Sequence, residues 1–357
     1  MKKMPPFYDP HKSYEENYDK GPFSVFSDHK IFQQKGEPQY NFLGHKVYLP
    51  FGIPAGPLLN SNFVKAAFEK GFDINVYKTV RSDFLPCHPF PNILAVDIKG
   101  DLTLEKLKNP LVANTKYQDP LSITNSFGVP SKKPEIWQQD VKKAIQYAGK
   151  GQVMILSFMG TVKKNQTQQE FIEDFILAAK LANETGAKIL EANLSCPNIG
   201  NEGLVCYNLL ATNQVAKGIR KVIGNTPLIL KVGYYENNKD LEKLAKIADE
   251  YANDVAAINT LQAAVVDNKG NQALTGGTNR LRSGICGAPI KWAGLETVKR
   301  LKEIKDKHNY KFSITGVGGV ITPDDYLEYK KNGADAVMSA TGTMWNPYLA
   351  QDINKTL

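Results

Sequence analysis

The chain has 357 residues, of which 42% are hydrophobic and 22% are charged, proportions typical of a folded globular protein. Its net charge of +8 comes without an arginine-rich block or a basic stripe interleaved with aromatic residues, which argues against a nucleic-acid partner. The excess of lysine is typical of a solvated surface, and attraction of anionic substrates or cofactors is the functional alternative. No apolar run reaches the ~20 residues that a membrane helix needs, and the basic N-terminus lacks the apolar segment of a secretory signal, so we expect no membrane span and a cytoplasmic location.

The cysteines and histidines do not form a recognisable ligand pattern. Cys87, Cys196, Cys206 and Cys286 are far apart, with no CxxC spacing, and the five histidines include no HExxH motif. Neither a zinc site nor a small disulfide framework fits this spacing, and we expect no metal site.

Two parts of different character follow one another along the chain. Residues 1–45 are rich in Tyr, Pro, Lys and Asp and show no periodicity, which predicts an N-terminal arm or cap. Across 46–357, short apolar runs alternate with amphipathic stretches, the pattern of βα units around a parallel sheet. Eight strands are predicted, at Pro50–Ala55, Ile74–Val80, Val153–Met159, Lys188–Ala192, Pro227–Val232, Ala256–Thr260, Phe312–Gly316 and Ala336–Ala340.

Amphipathic helices lie between most of these strands. Leu241, Leu244, Ala245 and Ala248 show the i, i+3, i+4, i+7 spacing of a buried helix face. Eight such units favour a (β/α)8 TIM barrel. A Rossmann-like sheet is the alternative, but no GxGxxG motif opens the first helix. Two long connections, 82–121 and 263–283, follow strands and are therefore expected on the C-terminal face, where barrels build their active sites.

Polar residues occur where several predicted strands end. Lys78-Thr79 and Lys231 end apolar strands, and a buried lysine is costly unless it meets an anion or acceptors. Either lysine alone could extend its ammonium group to the rim of the barrel. Two of them, in two strands, favour an anionic ligand between them.

Glycine-rich segments end the last two strands. Gly316-Val317-Gly318-Gly319 and Thr341-Gly342-Thr343 lie after strands seven and eight, where barrels commonly bind phosphate. Glycines allow backbone N–H groups to approach an anion closely. The two segments together predict a phosphate site, although each could also be only a tight turn.

A cysteine between two asparagines is the most informative segment. Asn193-Leu194-Ser195-Cys196-Pro197-Asn198 follows a predicted strand, Asn125–Pro130 precedes a helix, and Asn259-Thr260 ends another strand. Cys196 could be an inert buried thiol or a base for a polar substrate. A phosphate site, inward lysines and amides together fit flavin mononucleotide (FMN), whose ring becomes anionic on reduction and is stabilised by a nearby lysine.

From about Pro50 to Asn346 the chain resembles the dihydroorotate dehydrogenase family. The motifs agree in order: PAG (54–56), KT (78–79), NSFGVP (125–130), NLSCPN (193–198), Lys231, NT (259–260), GVGG (316–319) and TGT (341–343). Because the membrane-linked class of the family uses a serine as base, Cys196 makes the chain similar to the soluble class 1 enzymes.

The resemblance implies roles for individual residues. Cys196 would remove the C5 proton of dihydroorotate while hydride passes from C6 to flavin N5, with Lys78 and Lys231 as the other catalytic residues. Substrate contacts are implied for Lys78, Asn125, Phe127, Gly128, Val129, Asn193, Asn198, Asn259 and Thr260. Flavin contacts are implied for Ala55, Gly56, Lys78, Thr79, Asn193, Lys231, Gly284, Gly318, Gly319, Gly342 and Thr343.

Several alternatives stay open at this point. The family uses fumarate, nicotinamide through a partner flavoprotein, or quinone as electron acceptor, and the motifs do not choose among them. A related flavin barrel could oxidise another dihydropyrimidine, or could bind FMN without turnover, and a phosphate-binding aldolase barrel would be colourless. The resemblance also implies a homodimer.

Overall fold

The computed structural model describes residues 4–195, 204–277 and 280–357. Its strands are β1 (Tyr40–Phe42), β2 (His45–Val47), β3 (Phe51–Ile53), β4 (Ile74–Val80), β5 (Ile93–Val96), β6 (Leu111–Asn114), β7 (Ser122–Asn125), β8 (Val153–Phe158), β9 (Ile189–Asn193), β10 (Leu228–Val232), β11 (Asp254–Ala257), β12 (Leu261–Val266), β13 (Arg282–Gly287), β14 (Ser313–Val317) and β15 (Ala336–Met338). Its α-helices are α1 (Tyr14–Lys20), α2 (Ser61–Glu69), α3 (Pro134–Gln146), α4 (Gln168–Asn183), α5 (Leu209–Ile223), α6 (Asn238–Tyr251), α7 (Lys291–His308), α8 (Pro323–Lys331), α9 (Thr341–Trp345) and α10 (Leu349–Asn354). Short 3₁₀ turns occur at Ser24–Ser27, Lys106–Lys108, Val205–Tyr207 and Ala288–Ile290.

Eight parallel strands close into a barrel in the order β3-β4-β8-β9-β10-β11-β14-β15. These are the eight predicted strands, each within a few residues of its predicted bounds, so the (β/α)8 prediction is confirmed. Every residue of β4, β8, β9 and β10 is buried, as expected for parallel strands covered on both faces.

The helices cover the barrel with the faces that the sequence predicts. On α6, Leu241, Leu244, Ala245 and Ala248 are all buried. Helix α4 begins with a capping box between Thr167 and Glu170, which satisfies backbone N–H groups that the first turn would otherwise leave unpaired.

A separate apolar cluster fills the inside of the barrel. Because side chains alternate along a strand, every second residue of each barrel strand points inward. The cluster closes at the N-terminal end of the barrel with Phe42 and Val47 of the β1–β2 hairpin. Its remaining buried members are Ile74, Val76, Val153, Ile155, Ile189, Ile229, Ala256, Val317, Ala336 and Met338.

The two long connections contain strands that the sequence analysis did not predict. Strands β5, β6 and β7 come from the first connection and its end, and β12 and β13 come from the second. The five strands close on one another in the order β12-β13-β7-β5-β6. Each is only four to six residues long and several pair with strands far away in sequence, so local pattern gives little sign of them.

The N-terminal arm packs against the barrel. The N–H of Phe7 donates to the carbonyl of Met344 (3.1 Å), and the ring of Phe7 stacks on Phe26 at 4.1 Å between centroids. The predicted boundary at residue 45 falls inside the β1–β2 hairpin and stays a prediction. Among the described residues, no helix is both long and apolar enough to cross a membrane.

Candidate active site

A cavity of about 400 Å³ lies at the carboxyl ends of the barrel strands, partly covered by the five-stranded sheet and the arm. Its lining includes most of the residues that sequence reasoning singled out: Ala55, Gly56, Lys78, Thr79, Asn125, Phe127, Gly128, Val129, Asn193, Lys231, Asn259, Thr260, Gly284, Gly318, Gly319 and Gly342. Residues as far apart in the chain as Ala55 and Gly342 therefore meet at one cavity, because the carboxyl ends of the barrel strands share one face.

Three sequence-predicted residues are not part of this described lining. Cys196 and Asn198 lie outside the described residues. Thr343 is fully buried beside the cavity, and its hydroxyl donates to the carbonyls of Ser339 (2.8 Å) and Ala340 (2.9 Å). The Thr343 side chain therefore stabilises α9.

A chain of polar side chains connects β4, β8 and β9 below the cavity. The hydroxyls of Thr79 and Ser157 are hydrogen bonded at 2.9 Å, and Asn193 Nδ2 donates to Thr79 Oγ1 at 3.4 Å. Asn193 Oδ1 accepts from the N–H of Ser195 at 3.2 Å. The Asn193 amide is thus oriented from both sides at the start of the NLSCPN segment.

Lys78 is a buried cation near the end of β4. Burial and the nearby charge of Arg81 lower the pKa of Lys78 to about 7, against a smaller opposing effect of Cys87. A neighbouring carboxylate would offset this desolvation and favour the charged ammonium group. The site is therefore suited to an anionic group next to Lys78.

Lys231 is the penultimate residue of β10, on the other side of the cavity. Its ammonium group is buried and lacks a hydrogen-bond partner within the described chain. Burial lowers its pKa to about 8, although Glu191, Asp254 and Cys286 act in the opposite direction. An unpaired buried donor of this kind needs an acceptor, which a ligand in the cavity can supply.

The glycine-rich segments form one end of the cavity. Gly318 has φ +128° and Gly319 has φ +69°, conformations that other residues rarely adopt. A Cβ atom on Gly319 would lie 2.6 Å from Cβ of Lys291. Together with Gly342, they bring backbone N–H groups to the cavity wall without side chains in front of them.

Two arginines that sequence reasoning missed hold the NSFGVP segment. Arg81 Nε donates to the carbonyl of Val129 (2.9 Å), and one Arg81 terminal nitrogen donates to Gly128 (3.2 Å). Arg280 donates to the carbonyl of Ser126 (2.9 Å) from the opposite side. No sequence pattern marks these residues, because most of their partners are backbone carbonyls brought near by the fold.

Other residues at the cavity were also unexpected from sequence. Tyr8 and Tyr14 reach it from the arm, and the ring of Tyr8 packs edge-on against Phe127 at 5.8 Å. Cys286 lies beside Asn125, and burial raises the pKa of its thiol to about 12. Cys286 is therefore protonated at neutral pH, the state of a packing residue and not of a nucleophile.

The barrel, with its polar cavity at the carboxyl ends of the strands, defines the chain as a (β/α)8-barrel enzyme. A family model described as dihydroorotate dehydrogenase matches residues 107–357. A dihydroorotate dehydrogenase of Dictyostelium discoideum is 39% identical over 359 aligned residues, which cover 97% of this chain and 95% of that protein. The chain belongs to the dihydroorotate dehydrogenase family, and it is an oxidoreductase that acts on CH–CH bonds.

Further similarities agree with this membership. The catalytic subunit of dihydroorotate dehydrogenase B (NAD(+)) from Brachyspira hyodysenteriae is 28% identical over 72% of this chain and 78% of its own length. The solved structure of the Eimeria tenella enzyme in complex with ferulenol superposes with a TM-score of 0.68 at 15% identity, over 92% of this chain and 86% of that one. The structural similarity supports the fold. The family oxidises dihydroorotate in pyrimidine synthesis.

Proposed function

We propose that this chain is an FMN-dependent dihydroorotate dehydrogenase that uses Cys196 as its base. The observation that carries the proposal is the meeting of Lys78, Lys231 and the amides of Asn125, Asn193 and Asn259 around one cavity. Flavin supplies a hydride acceptor when it is bound.

The cavity residues fit FMN in two respects. The unpaired ammonium group of Lys231 matches the edge of a flavin ring that becomes negative on reduction. The Gly318–Gly319 segment and Gly342 expose backbone at one end of the cavity, where a phosphate group would be bound. Ala55, Gly56, Thr79 and Gly284 would line the ring between these two ends.

The other side of the cavity fits dihydroorotate. Lys78 would balance the carboxylate, and its pKa would rise toward its ordinary value as it does so. Amides both donate and accept hydrogen bonds, so Asn125, Asn193, Asn198 and Asn259 can match ring N–H and carbonyl groups without adding charge. The backbone of Phe127–Val129 and the hydroxyl of Thr260 complete this set.

Cys196 would take the C5 proton. A thiol is a better base than a serine hydroxyl at neutral pH, because its reference pKa is about 8.5. The similarity to catalytic subunits of the NAD(+) type supports the class 1 interpretation. We further propose that residues 1–45 act as a cap on the 46–357 catalytic domain, since Tyr8 and Tyr14 lie at the cavity.

The experiment is anaerobic reduction of the purified protein with dihydroorotate, followed through the flavin absorbance. We expect a yellow protein that bleaches, and a loss of at least about 100-fold in the reduction rate for Cys196→Ala. Cys196→Ser is the matched variant and should retain a small rate at high pH. A colourless protein contradicts the FMN proposal, while a full rate in Cys196→Ala contradicts the assignment of the base.

The same preparation tests the substrate and the acceptor. Orotate, but not uracil, should shift the flavin spectrum, because uracil lacks the carboxylate that Lys78 would bind. A shift with uracil alone would instead indicate another dihydropyrimidine as substrate. Reoxidation of the bleached protein by fumarate, NAD⁺ or a quinone, tried in parallel, identifies the acceptor.

A further inference from the structure

Three ionisable side chains lie inside the barrel, next to the cavity, on the adjacent strands β9, β10 and β11. Ile189, Ile229 and Ala256 belong to the interior cluster, and the side-chain period of two places Glu191, Lys231 and Asp254 on the same inward face. In the β9–β10 ladder Glu191 pairs with Ile229 and Asn193 pairs with Lys231, so Glu191 and Lys231 are diagonal neighbours.

Most of the polar atoms of these three side chains have no hydrogen-bond partner within the described chain. Within the described chain, both carboxylate oxygens of Glu191 and the ammonium nitrogen of Lys231 are buried without a partner. One oxygen of Asp254 is also unpaired, while the other accepts from the hydroxyl of Thr315 at 3.0 Å. Buried charges without hydrogen bonds are retained only where charge itself compensates them.

The two carboxyl groups have different surroundings. Burial raises the pKa of Asp254 well above its ordinary value, and repulsion from Asp335 and Glu191 adds to this despite the Thr315 hydrogen bond and Lys305. Burial also raises the pKa of Glu191, but the charge of Lys231 and the nearby hydroxyl of Ser157 oppose the rise. Asp254 is held by the Thr315 hydroxyl, whereas Glu191, the diagonal neighbour of Lys231, is placed as its counter-ion.

We propose that Glu191 is a positioning residue that keeps Lys231 protonated in both oxidation states of the flavin, so that reduction does not draw a proton onto this lysine. The inference rests on the proposed FMN site beside Lys231. The groups that face Lys231 are Glu191 from β9, Asp254 from β11 and Cys286 from β13, and the thiol is neutral.

The flavin reduction potential, measured as a function of pH, tests this role. Wild type, Glu191→Gln and Lys231→Met are loaded with FMN and titrated from about pH 5.5 to about pH 7.5, a range below the pKa that Lys231 has with Glu191 present. In Glu191→Gln, Lys231 loses its proton in the oxidised protein and regains it on reduction. We expect this variant to gain one proton per two electrons, a slope steeper by about 30 mV per pH unit.

The inference also predicts in which direction Glu191→Gln shifts the flavin reduction potential. At the acidic end of the range Lys231 is charged in both states of Glu191→Gln, and no carboxylate offsets it, so the potential should lie above that of wild type. The double variant Glu191→Gln/Lys231→Met should return to the wild-type slope. Replacing both members of a buried pair is often tolerated, so this variant is expected to fold.

Asp73→Asn is the matched control for loss of a buried carboxyl group. Asp73 precedes β4 at the opposite end of the barrel, where it accepts from the N–H of Leu49 at 2.7 Å. Its substitution should leave the slope unchanged.

If the flavin potential of Glu191→Gln changed with pH by the same slope as that of wild type, the inference would be overturned. A wild-type slope steeper than that of Lys231→Met would also overturn it, a comparison that does not require Glu191→Gln to fold. Failure of the wild-type protein to bind FMN overturns the proposed function together with this inference, whereas normal FMN binding with a parallel slope overturns the inference alone.

Discussion

The side-chain amide of Asn125 donates from Nδ2 to the sulfur of Cys286 at 3.1 Å. Asn125 ends β7, and Cys286 lies in β13, its antiparallel neighbour. Because one N–H of the amide is directed to the thiol, the orientation of the amide is fixed, and its oxygen and second N–H are left for a substrate.

Loss of the Cys286 acceptor should weaken orotate binding. We expect Cys286→Ala to raise the dissociation constant for orotate about three- to tenfold, the usual effect of one lost orienting hydrogen bond. Cys286→Ser keeps an acceptor of similar size and should bind nearly as well as wild type. Spectral titration of the flavin measures both, and equal affinities in all three proteins would show that Cys286 does not orient Asn125.

Orotate affinity should depend on pH through Lys78. The pKa of Lys78 is lowered to about 7 in the ligand-free protein, and only the protonated form attracts the carboxylate. As the pH rises above 7, affinity should fall, by up to tenfold per pH unit, until the pKa of Lys78 in the complex is reached.

Lys78→Met supplies the control for this pH dependence. It should bind orotate weakly, with an affinity that no longer changes across the same range. Calorimetric titration at several pH values makes the comparison, and a wild-type affinity that is flat between pH 7 and pH 8 would contradict the role of Lys78.

The atoms packed around Gly342 leave no room for a side chain at this position. A Cβ atom there would lie 2.3 Å from the carbonyl oxygen of Val320 and 2.6 Å from Oγ of Ser339. The backbone must shift to admit it, so Gly342→Ala should weaken FMN binding at least about tenfold, a cost of about 1.4 kcal/mol or more. Gly149→Ala, whose Cβ would meet only Oε1 of Gln152 at 3.4 Å, should bind FMN normally. Fluorescence quenching of FMN on binding provides the measurement.

The stability of the N-terminal arm should depend on the buried side chain of Asn17. Asn17 Oδ1 accepts from the N–H of Asp9 (2.8 Å), and its Nδ2 donates to the carbonyls of Asp9 and Ser13 (both 2.9 Å). Asn17→Ala leaves these groups unpaired and should lower the free energy of unfolding by about 1–3 kcal/mol. Denaturant unfolding tests this, with the exposed Asn62→Ala as the comparison. If Tyr8 and Tyr14 help to form the site, Asn17→Ala should also raise the KM for dihydroorotate.

Sequence by itself determined the barrel and the end of it at which the polar strand-terminal residues lie. The apolar runs of β4, β8 and β10 and the helix face of α6 are local periodic patterns, and the structure confirms them. Polar residues such as Lys78 and Lys231 could be assigned to one cavity because parallel strands of a barrel end at the same face.

Only the tertiary structure decided which side chains face one another across strands. The pairing of β7 with β13 joins Asn125 to a residue 161 positions later, and the ladder of β9 and β10 brings Glu191 beside Lys231. Arg81 and Arg280 find backbone carbonyls as partners, which carry no sequence signal. Side-chain period is a local property of the chain, whereas register and barrel closure are set by contacts distant in sequence, so the chemistry of this site emerges only from the closed fold.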